Sequence, residues 1–277
     1  MLMNIKLGAH QSIVGGYDKA IHRISKIKGN CLQIFSSSPR TWSFPEIDNK
    51  DVDNFIKVKK EKNIDPVYFH APYLINLAGS KKIVNLSIRF LIHELKLAAK
   101  LKIKGSVIHL GSYKETNTID DLAKNIKYIL QNTPTESFFI IENSGTRKIG
   151  LRLEEISKII KKVNNKRVKV CLDSCHLNSA GYDLSSKDKL NLFLNLFNRI
   201  IGLNSLELFH INDSKDSLGS LRDRHENILQ GKISKNTFRT LLNHKVTKKY
   251  PFIIETPGFD NNGPDKKNLD ILKSLVN

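Results

Sequence analysis

Phe139-Ile140-Ile141-Glu142 and Leu206-Glu207-Leu208-Phe209-His210 each pass through strand-prone residues and stop on a side chain that ionises. Val107-Ile108-His109 and Ile253-Ile254-Glu255 end in the same way. Short runs rich in β-branched and aromatic residues read as strands. Working outward from these four, eight such runs occur, at residues 4–10, 31–36, 66–70, 106–109, 138–142, 168–173, 206–210 and 252–255. Amphipathic segments separate them, with apolar residues three and four apart, and predict helices over 82–101, 119–130, 153–163, 190–201 and 267–276, among others. Strict strand-then-helix order implies a parallel sheet. An open doubly wound sheet shares that order, so the strand ends decide. Seven of the eight runs finish on His10, His70, His109, Glu142, Asp173, His210 or Glu255. An open sheet fans such ends apart, whereas a closed barrel gathers them on one face, where barrel enzymes keep their active sites. The predicted fold is therefore α/β, a TIM (β/α)8 barrel forming one domain over residues 1–277, with its site at the C-terminal face of the strands. The length suits a fold that typically takes about 250 residues.

Lys and Arg number 45 against 27 acidic residues, a net charge of +18, which favours a polyanionic partner such as nucleic acid. The basic residues are scattered over helices, and abundant Lys and Asn also follow from AT-rich coding, so charge supports such a partner without deciding it. No stretch approaches the roughly 20 apolar residues of a membrane span. The first residues lack the basic, apolar and small-residue segments of a secretory signal, and the expectation is an intracellular, cytoplasmic protein with no membrane partner. Cys31, Cys171 and Cys175 are too few for a disulfide framework, and the C-x3-C spacing has no second pair for a zinc knuckle. They are expected to be buried free thiols without a role.

A carboxylate at the mouth of an apolar barrel is costly unless paired, hydrogen-bonded or bound to a cation. Mixed imidazole and carboxylate donors suit zinc or a similar first-row metal. Two further clusters add donors: Asp173-Ser-Cys-His176, and Asp223-Arg-His225 after the seventh strand. In an extended segment, residues i and i+2 share a face, so Asp223 and His225 can grip one ion together. Any one of these residues alone reads better as a hydrogen-bonded strand end; their joint placement at one register of an eightfold pattern points to metal. His22, His93 and His244 fall on helix-like segments and read as surface or packing residues. His10 reads as a residue behind the ligands or facing the substrate.

The words around these donors are Gly8-Ala9-His10, His70-Ala-Pro-Tyr-Leu-Ile-Asn-Leu77, His109-Leu-Gly-Ser112, Glu142-Asn143 and Cys171-Leu-Asp-Ser-Cys-His176. They continue with Ala180-Gly-Tyr-Asp183, His210-Ile-Asn-Asp-Ser-Lys215, Asp223-Arg-His-Glu-Asn-Ile228 and Glu255-Thr-Pro257. Nearly end to end, and in order, the set resembles the endonuclease IV family of apurinic/apyrimidinic endonucleases. The resemblance implies three zinc ions, with manganese able to replace zinc at one site. The first would be held by His70, His109 and Glu142, the second by Glu142, Asp173, His210 and Glu255, and the third by His176, Asp223 and His225. Glu142 and Glu255 are the implied catalytic carboxylates. The implied reaction is hydrolysis of the phosphodiester 5′ to an abasic site in double-stranded DNA, leaving 3′-hydroxyl and 5′-deoxyribose phosphate ends, with trimming of blocked 3′ ends at the same site. Metal ions suit it because the anionic diester repels hydroxide and its leaving alkoxide is a strong base.

The loops Ser36-Ser-Ser-Pro-Arg40-Thr-Trp42 and Tyr73-Leu74 match family loops that push into the base stack, which makes Arg40, Tyr73 and Leu74 the implied DNA-contacting residues. Trp42 reads as a support for its loop. The chain departs from the family at Leu229-Gln230-Gly231, where a Gly-acidic-Gly run is common, and in a segment after Asn143 about two residues shorter than usual. Both departures bear on loop shape. A monomer is expected. The alternative is a metal-dependent sugar isomerase or epimerase of the xylose isomerase-like barrels, which needs one or two ions and leaves the His176, Asp223 and His225 cluster without a purpose. A DNA-binding protein with structural metals would call for closed, Cys-rich sites instead.

Overall fold

The computed structural model describes residues 5–114 and 117–277. The strands are Leu7–His10 (β1), Cys31–Phe35 (β2), Val67–His70 (β3), Gly105–Ile108 (β4), Phe138–Glu142 (β5), Val168–Asp173 (β6), Leu206–His210 (β7), Asp213–Ser214 (β8), His225–Glu226 (β9) and Phe252–Ile254 (β10). Eight of them close into a parallel barrel in the order β1-β10-β7-β6-β5-β4-β3-β2, and β8 with β9 makes a separate antiparallel ribbon. The helices are Tyr17–Lys26 (α1), Asn49–Glu61 (α2), Lys81–Lys100 (α3), Ile119–Gln131 (α4), Leu153–Val163 (α5), Ser174–Ser179 (α6), Lys187–Ile200 (α7), Lys235–Asn243 (α8) and Lys266–Ser274 (α9). Side-chain caps start several of them: Asp48 on α2, Ser186 on α7, Ser234 on α8, Asp265 on α9, and a reciprocal Thr118–Asp121 box on α4. Among the described residues no helix is long and apolar enough to cross a membrane.

Strand side chains alternate between two faces, and this positions the site. Leu32 and Ile34, Val67 and Phe69, Phe139 and Ile141, Val170 and Leu172, and Phe252 and Ile254 face outward and form one core with the helices. Cys31, Tyr68, Val107, Ile140, Cys171, Leu208 and Ile253 face inward and fill the barrel. Gly8 occupies the equivalent place on β1, where a Cβ would come within 1.9 Å of the Cys31 carbonyl oxygen, so only glycine fits there. Two residues further along each strand, the same inward face carries His10, Gln33, His70, His109, Glu142, Asp173, His210 and Glu255. The barrel interior is thus apolar below and polar at the mouth.

Several strand boundaries differ from expectation, at Phe35, Val67 and Gly105 by a single residue. The ladder of β1 starts at Leu7, and the expected start at Asn4 lies outside the described residues. His109 and Glu255 stand one residue beyond β4 and β10. For Glu255 the reason is visible: its amide donates to the Asn212 side chain at 2.7 Å instead of to a neighbouring strand. Helix α7 begins at Lys187, ahead of the expected residue 190, because the Ser186 cap recruits a polar first turn that carries no apolar periodicity.

Candidate metal centre

Glu142 is fully buried at the centre of the mouth. Its Oε2 lies 3.1 Å from His70 Nε2 and 3.1 Å from His109 Nε2, while its Oε1 lies 3.0 Å from His210 Nδ1 and 3.2 Å from His176 Nδ1. One carboxylate therefore faces four imidazoles. Glu255 approaches the same His210 Nδ1 at 3.3 Å, with Asp173 at 3.8 Å. The third group comes from outside the barrel ring. His176 sits on α6, whose first turn is capped by Asp173, and its Nε2 lies 3.0 Å from Asp223 Oδ1. Pairing of β8 with β9 brings Asp223 and His225 back over the mouth, and His225 Nε2 stands 3.6 Å from Asp223 and 3.7 Å from Asp173. Arg224, between them, points the other way and grips Asp216 with two hydrogen bonds at 2.6 and 2.8 Å. This is the alternation expected of an extended Asp-x-His segment.

Three groups of donors have atoms within 4.8 Å of one another: His70, His109 and Glu142; Glu142, Asp173, His210 and Glu255; and His176, Asp223 and His225. Two donors on one tetrahedral zinc, with bonds near 2.1 Å, stand about 3.4 Å apart, which is the range these pairs occupy. His225 Nε2 is moreover buried without a hydrogen-bond partner. Donor chemistry, spacing and that orphaned nitrogen all fit metal ions. Cys171 and Glu142 with His210, and Cys175 with Asp173 and His225, form further groups of the same closeness, and all three thiols are free and buried.

Several groups that the sequence did not single out hold the donors in place. Asn143 Oδ1 accepts from the Asp173 amide at 2.7 Å, and Asn212 Nδ2 donates to Asp173 Oδ2 at 2.6 Å. Gln33, fully buried, donates to Glu255 Oε1 at 2.5 Å and accepts from His210 Nε2 at 2.8 Å. Side-chain amides in such positions leave no titratable signature in a sequence.

Burial pulls the His109 imidazole down to about 4 and lowers His10 as well. Burial acts on His176 and His210 too, but the carboxylates of Asp173, Asp223, Glu142 and Glu255, with the Cys171 thiol beside His210, outweigh it and hold both well above the ordinary histidine range. Against its own burial, Asp223 is drawn down to about 2 by His176. In the metal-free protein at neutral pH these imidazoles therefore carry protons that an incoming ion must displace. Zinc uptake is expected to release at least one proton, and its affinity to rise about tenfold for each pH unit per proton released up to the pKa of those groups, falling again as the pH drops. Calorimetric titration in buffers of different ionisation enthalpy reads the released protons directly; heats that do not depend on the buffer would contradict this.

The mouth opens as a cavity of about 330 Å³ lined by His70, His109, His176, His225, Glu255 and Tyr73 among others. Tyr73 is 72% exposed beside this opening, its ring edge-on to Phe35 at 5.8 Å; Arg40 is exposed and Leu74 half-buried. Trp42 packs edge-on against Phe90 at 6.1 Å. His22 is exposed, His93 packs against Phe44, and His244, at the end of α8, is buried against Asn191; none of the three enters the mouth. Leu229, at the departure from the family pattern, takes a left-handed φ of 64°, and Gly231 follows where a Cβ would meet the Ser214 carbonyl oxygen at 2.3 Å. The turn is held by Asp213, which accepts from the amides of Gly231 and Ile233 at 3.0 Å each.

A family model described as a xylose isomerase-like TIM barrel matches residues 21–275. A protein named probable endonuclease 4 from Thermosipho melanesiensis is 38% identical over 263 residues, covering 92% of this chain and 93% of its own. The crystal structure of endonuclease IV from Thermus thermophilus superposes with a TM-score of 0.87 at 30% identity, covering 98% of both chains. The chain belongs to the endonuclease IV family of hydrolases. A D-tagatose 3-epimerase-like protein also superposes, with a TM-score of 0.70 and 98% of this chain covered, but at 19% identity it shares only the barrel. For a member of the endonuclease IV family, the three donor groups at the barrel mouth are the natural candidate for the site of reaction.

Proposed function

We propose that this protein is a DNA repair enzyme that hydrolyses the phosphodiester bond 5′ to abasic sites in double-stranded DNA, with three zinc ions at the barrel mouth. The observation that carries the reading is the third donor group, His176, Asp223 and His225, next to the first two. A sugar epimerase on this barrel needs one or two ions and has no use for it. In this reading His70, His109 and Glu142 hold one ion, Glu142, Asp173, His210 and Glu255 the second, and His176, Asp223 and His225 the third. Bound there, the ions supply a nucleophile at neutral pH and stabilise the developing negative charge.

The chain's own residues do the rest. Glu142 and Glu255, both fully ionised because neighbouring imidazoles outweigh their burial, give the centre the negative charge that holds cations in place. Asn212 and the His176 amide fix the Asp173 carboxylate by hydrogen bonds and Asn143 anchors the Asp173 backbone amide, so the carboxylate does not rotate when substrate arrives. Tyr73 lines the opening, and in this reading it enters the base stack with Leu74 and Arg40, where inserted side chains open the helix most cheaply at a position that already lacks its base. The net charge of +18 favours approach to the DNA backbone.

The test is a purified, zinc-loaded protein incubated with an end-labelled duplex carrying one tetrahydrofuran abasic analogue, beside an intact duplex. The analogue cannot undergo β-elimination, so a nick reports hydrolysis. The expected product is a cut on the 5′ side with a 3′-hydroxyl end, lost on chelation and restored by zinc; an uncut duplex together with turnover of a sugar would favour the epimerase. Replacing Tyr73 with Ala is expected to weaken binding of the abasic duplex by about 1–3 kcal/mol, the worth of one aromatic–base stack, or roughly 5- to 150-fold. Because Tyr73 is exposed, the melting temperature is expected to stay within a few degrees of the parent, and an unchanged Kd would remove Tyr73 from the interface.

A further inference from the structure

Gln33 completes the ring of inward side chains at the mouth, and both of its amide hydrogens and its amide oxygen are engaged there. Its Nε2 donates to Glu255 Oε1 at 2.5 Å and lies 3.0 Å from His10 Nδ1, and its Oε1 lies 2.8 Å from His210 Nε2. The orientation of the amide follows from chemistry. A carboxylate only accepts, so the NH2 group must face Glu255 and the oxygen must face His210. Two consequences follow for the rings. His210 donates from Nε2, so Nδ1, 3.0 Å from Glu142, is the nitrogen left to give up its proton to an ion on that side. His10 must accept at Nδ1, because a hydrogen on that atom would meet an amide hydrogen head-on. Its own hydrogen is then on Nε2.

That nitrogen is buried and has no partner among the described residues, although His10 lines the cavity at the mouth. The ring is pinned against Phe35, with centroids 4.4 Å apart, and the Glu255 carboxylate is 3.7 Å from Nδ1, too far to compete with the amide. A buried donor without an acceptor costs about 1–3 kcal/mol and is retained where something is to be bound.

We propose that Gln33 is a positioning residue of the phosphodiester reaction: it sets the His10 ring so that Nε2–H donates to an anionic oxygen of the bound DNA phosphate, and by the same amide it sets the His210 ring toward the metal. The proposal rests on the phosphodiester reading above. It makes His10 a substrate-contacting residue and gives the one strand of the barrel without an ionisable end a defined task.

The experiment uses the full-length zinc-loaded protein with 15N-labelled histidine, wild type and Gln33→Leu, and reads the protonation of each ring nitrogen of His10 and His210 from their 15N shifts. Wild type is expected to carry hydrogen on Nε2 of both rings, and Gln33→Leu to lose that single tautomer at His10. Incision of the tetrahydrofuran duplex is measured in parallel. His10→Ala and Gln33→Leu are each expected to lose about 10- to 100-fold in kcat/KM, the usual cost of an outer-shell partner. The double variant should lose less than the product of the two single losses, because the His10 part is shared and only the His210 part adds, and His10→Gln, which keeps a side-chain N–H near the position of Nε2, should recover most of the His10→Ala loss. A wild-type His10 protonated on Nδ1 would overturn the proposal, as would a Gln33→Leu protein with the wild-type tautomer and undiminished kcat/KM. Failure of the wild-type protein to nick the duplex would instead overturn the phosphodiester reading and the donor role with it, while the 15N shifts would still decide whether Gln33 sets the rings.

Discussion

Replacing Glu142 with Ala is expected to lower kcat/KM on the abasic duplex by at least about 1000-fold, the several kcal/mol of transition-state stabilisation that bound metal supplies. Glu142 is the one carboxylate that belongs to two of the three donor groups, so its loss removes a ligand from both at once. It also takes away the acceptor shared by His70, His109, His176 and His210, all within 3.2 Å of its oxygens, and leaves Asp173, Asp223 and Glu255 as the remaining carboxylates of the centre. Metal analysis of the variant is expected to find fewer than three zinc ions per chain. Glu142→Gln separates charge from shape. It fills the same space and still hydrogen-bonds, so its fold is expected to survive, but a neutral amide is a poor ligand and the activity is expected to fall nearly as far. A Glu142→Gln protein that keeps three ions and most of its rate would show that this carboxylate does not bridge metals.

The second large effect is expected from Asp223→Ala combined with His225→Ala. Both residues lie on the chain that folds over the mouth, and Asp223 is 38% exposed at its side chain, so their truncation opens no cavity in the core. The expected outcome is loss of one ion of three, a kcat lower by about 100- to 1000-fold, comparable to removing a group that stabilises developing negative charge, and a melting temperature near that of the parent. Inductively coupled plasma mass spectrometry and single-turnover incision measure the two quantities. The pair also discriminates between reactions. A sugar epimerase working at the first two groups would be indifferent to both substitutions, and unchanged turnover in the double variant would remove the third group from catalysis.

The barrel was legible because its strands alternate. Once Ile140 is read as interior, Glu142 two residues on must face the same way, and the same step leads from Tyr68 to His70, from Val107 to His109, from Leu208 to His210 and from Ile253 to Glu255. Period two carries direction as well as structure, so the candidate donors could be placed at one level before any contact was known. The Asp223-Arg-His225 step was readable for the same reason. What could not be read is where that segment goes. Its approach to His176 depends on the pairing of Asp213 with Glu226 and Ser214 with His225, a tertiary event between two short stretches that carry no strand pattern of their own.

Gln33 escaped notice for a different reason. Its strand continues through Ile34 and Phe35 beyond the level of the mouth, so the end of the run does not coincide with the polar layer, and an amide is not among the residue types that mark a metal site. Asn143 and Asn212 stood inside quoted motifs without a task, because their value lies in which backbone and carboxylate groups they meet. The three cysteines are buried and free as expected, but Cys171 and Cys175 lie nearer to the donor groups than their spacing suggested. The departure at Leu229 and Gln230 resolves into a turn in which leucine takes a left-handed conformation, costing roughly 1–2 kcal/mol relative to glycine, against the amide bonds that Asp213 receives.

In the proposed centre one carboxylate, Glu142, joins two of three ions. Anomalous scattering at the zinc edge, from crystals of the zinc-loaded protein, tests it most directly. Three peaks are expected, two flanking Glu142 and the third among His176, Asp223 and His225. A single peak, or peaks that leave Glu142 without metal on either side, would contradict it.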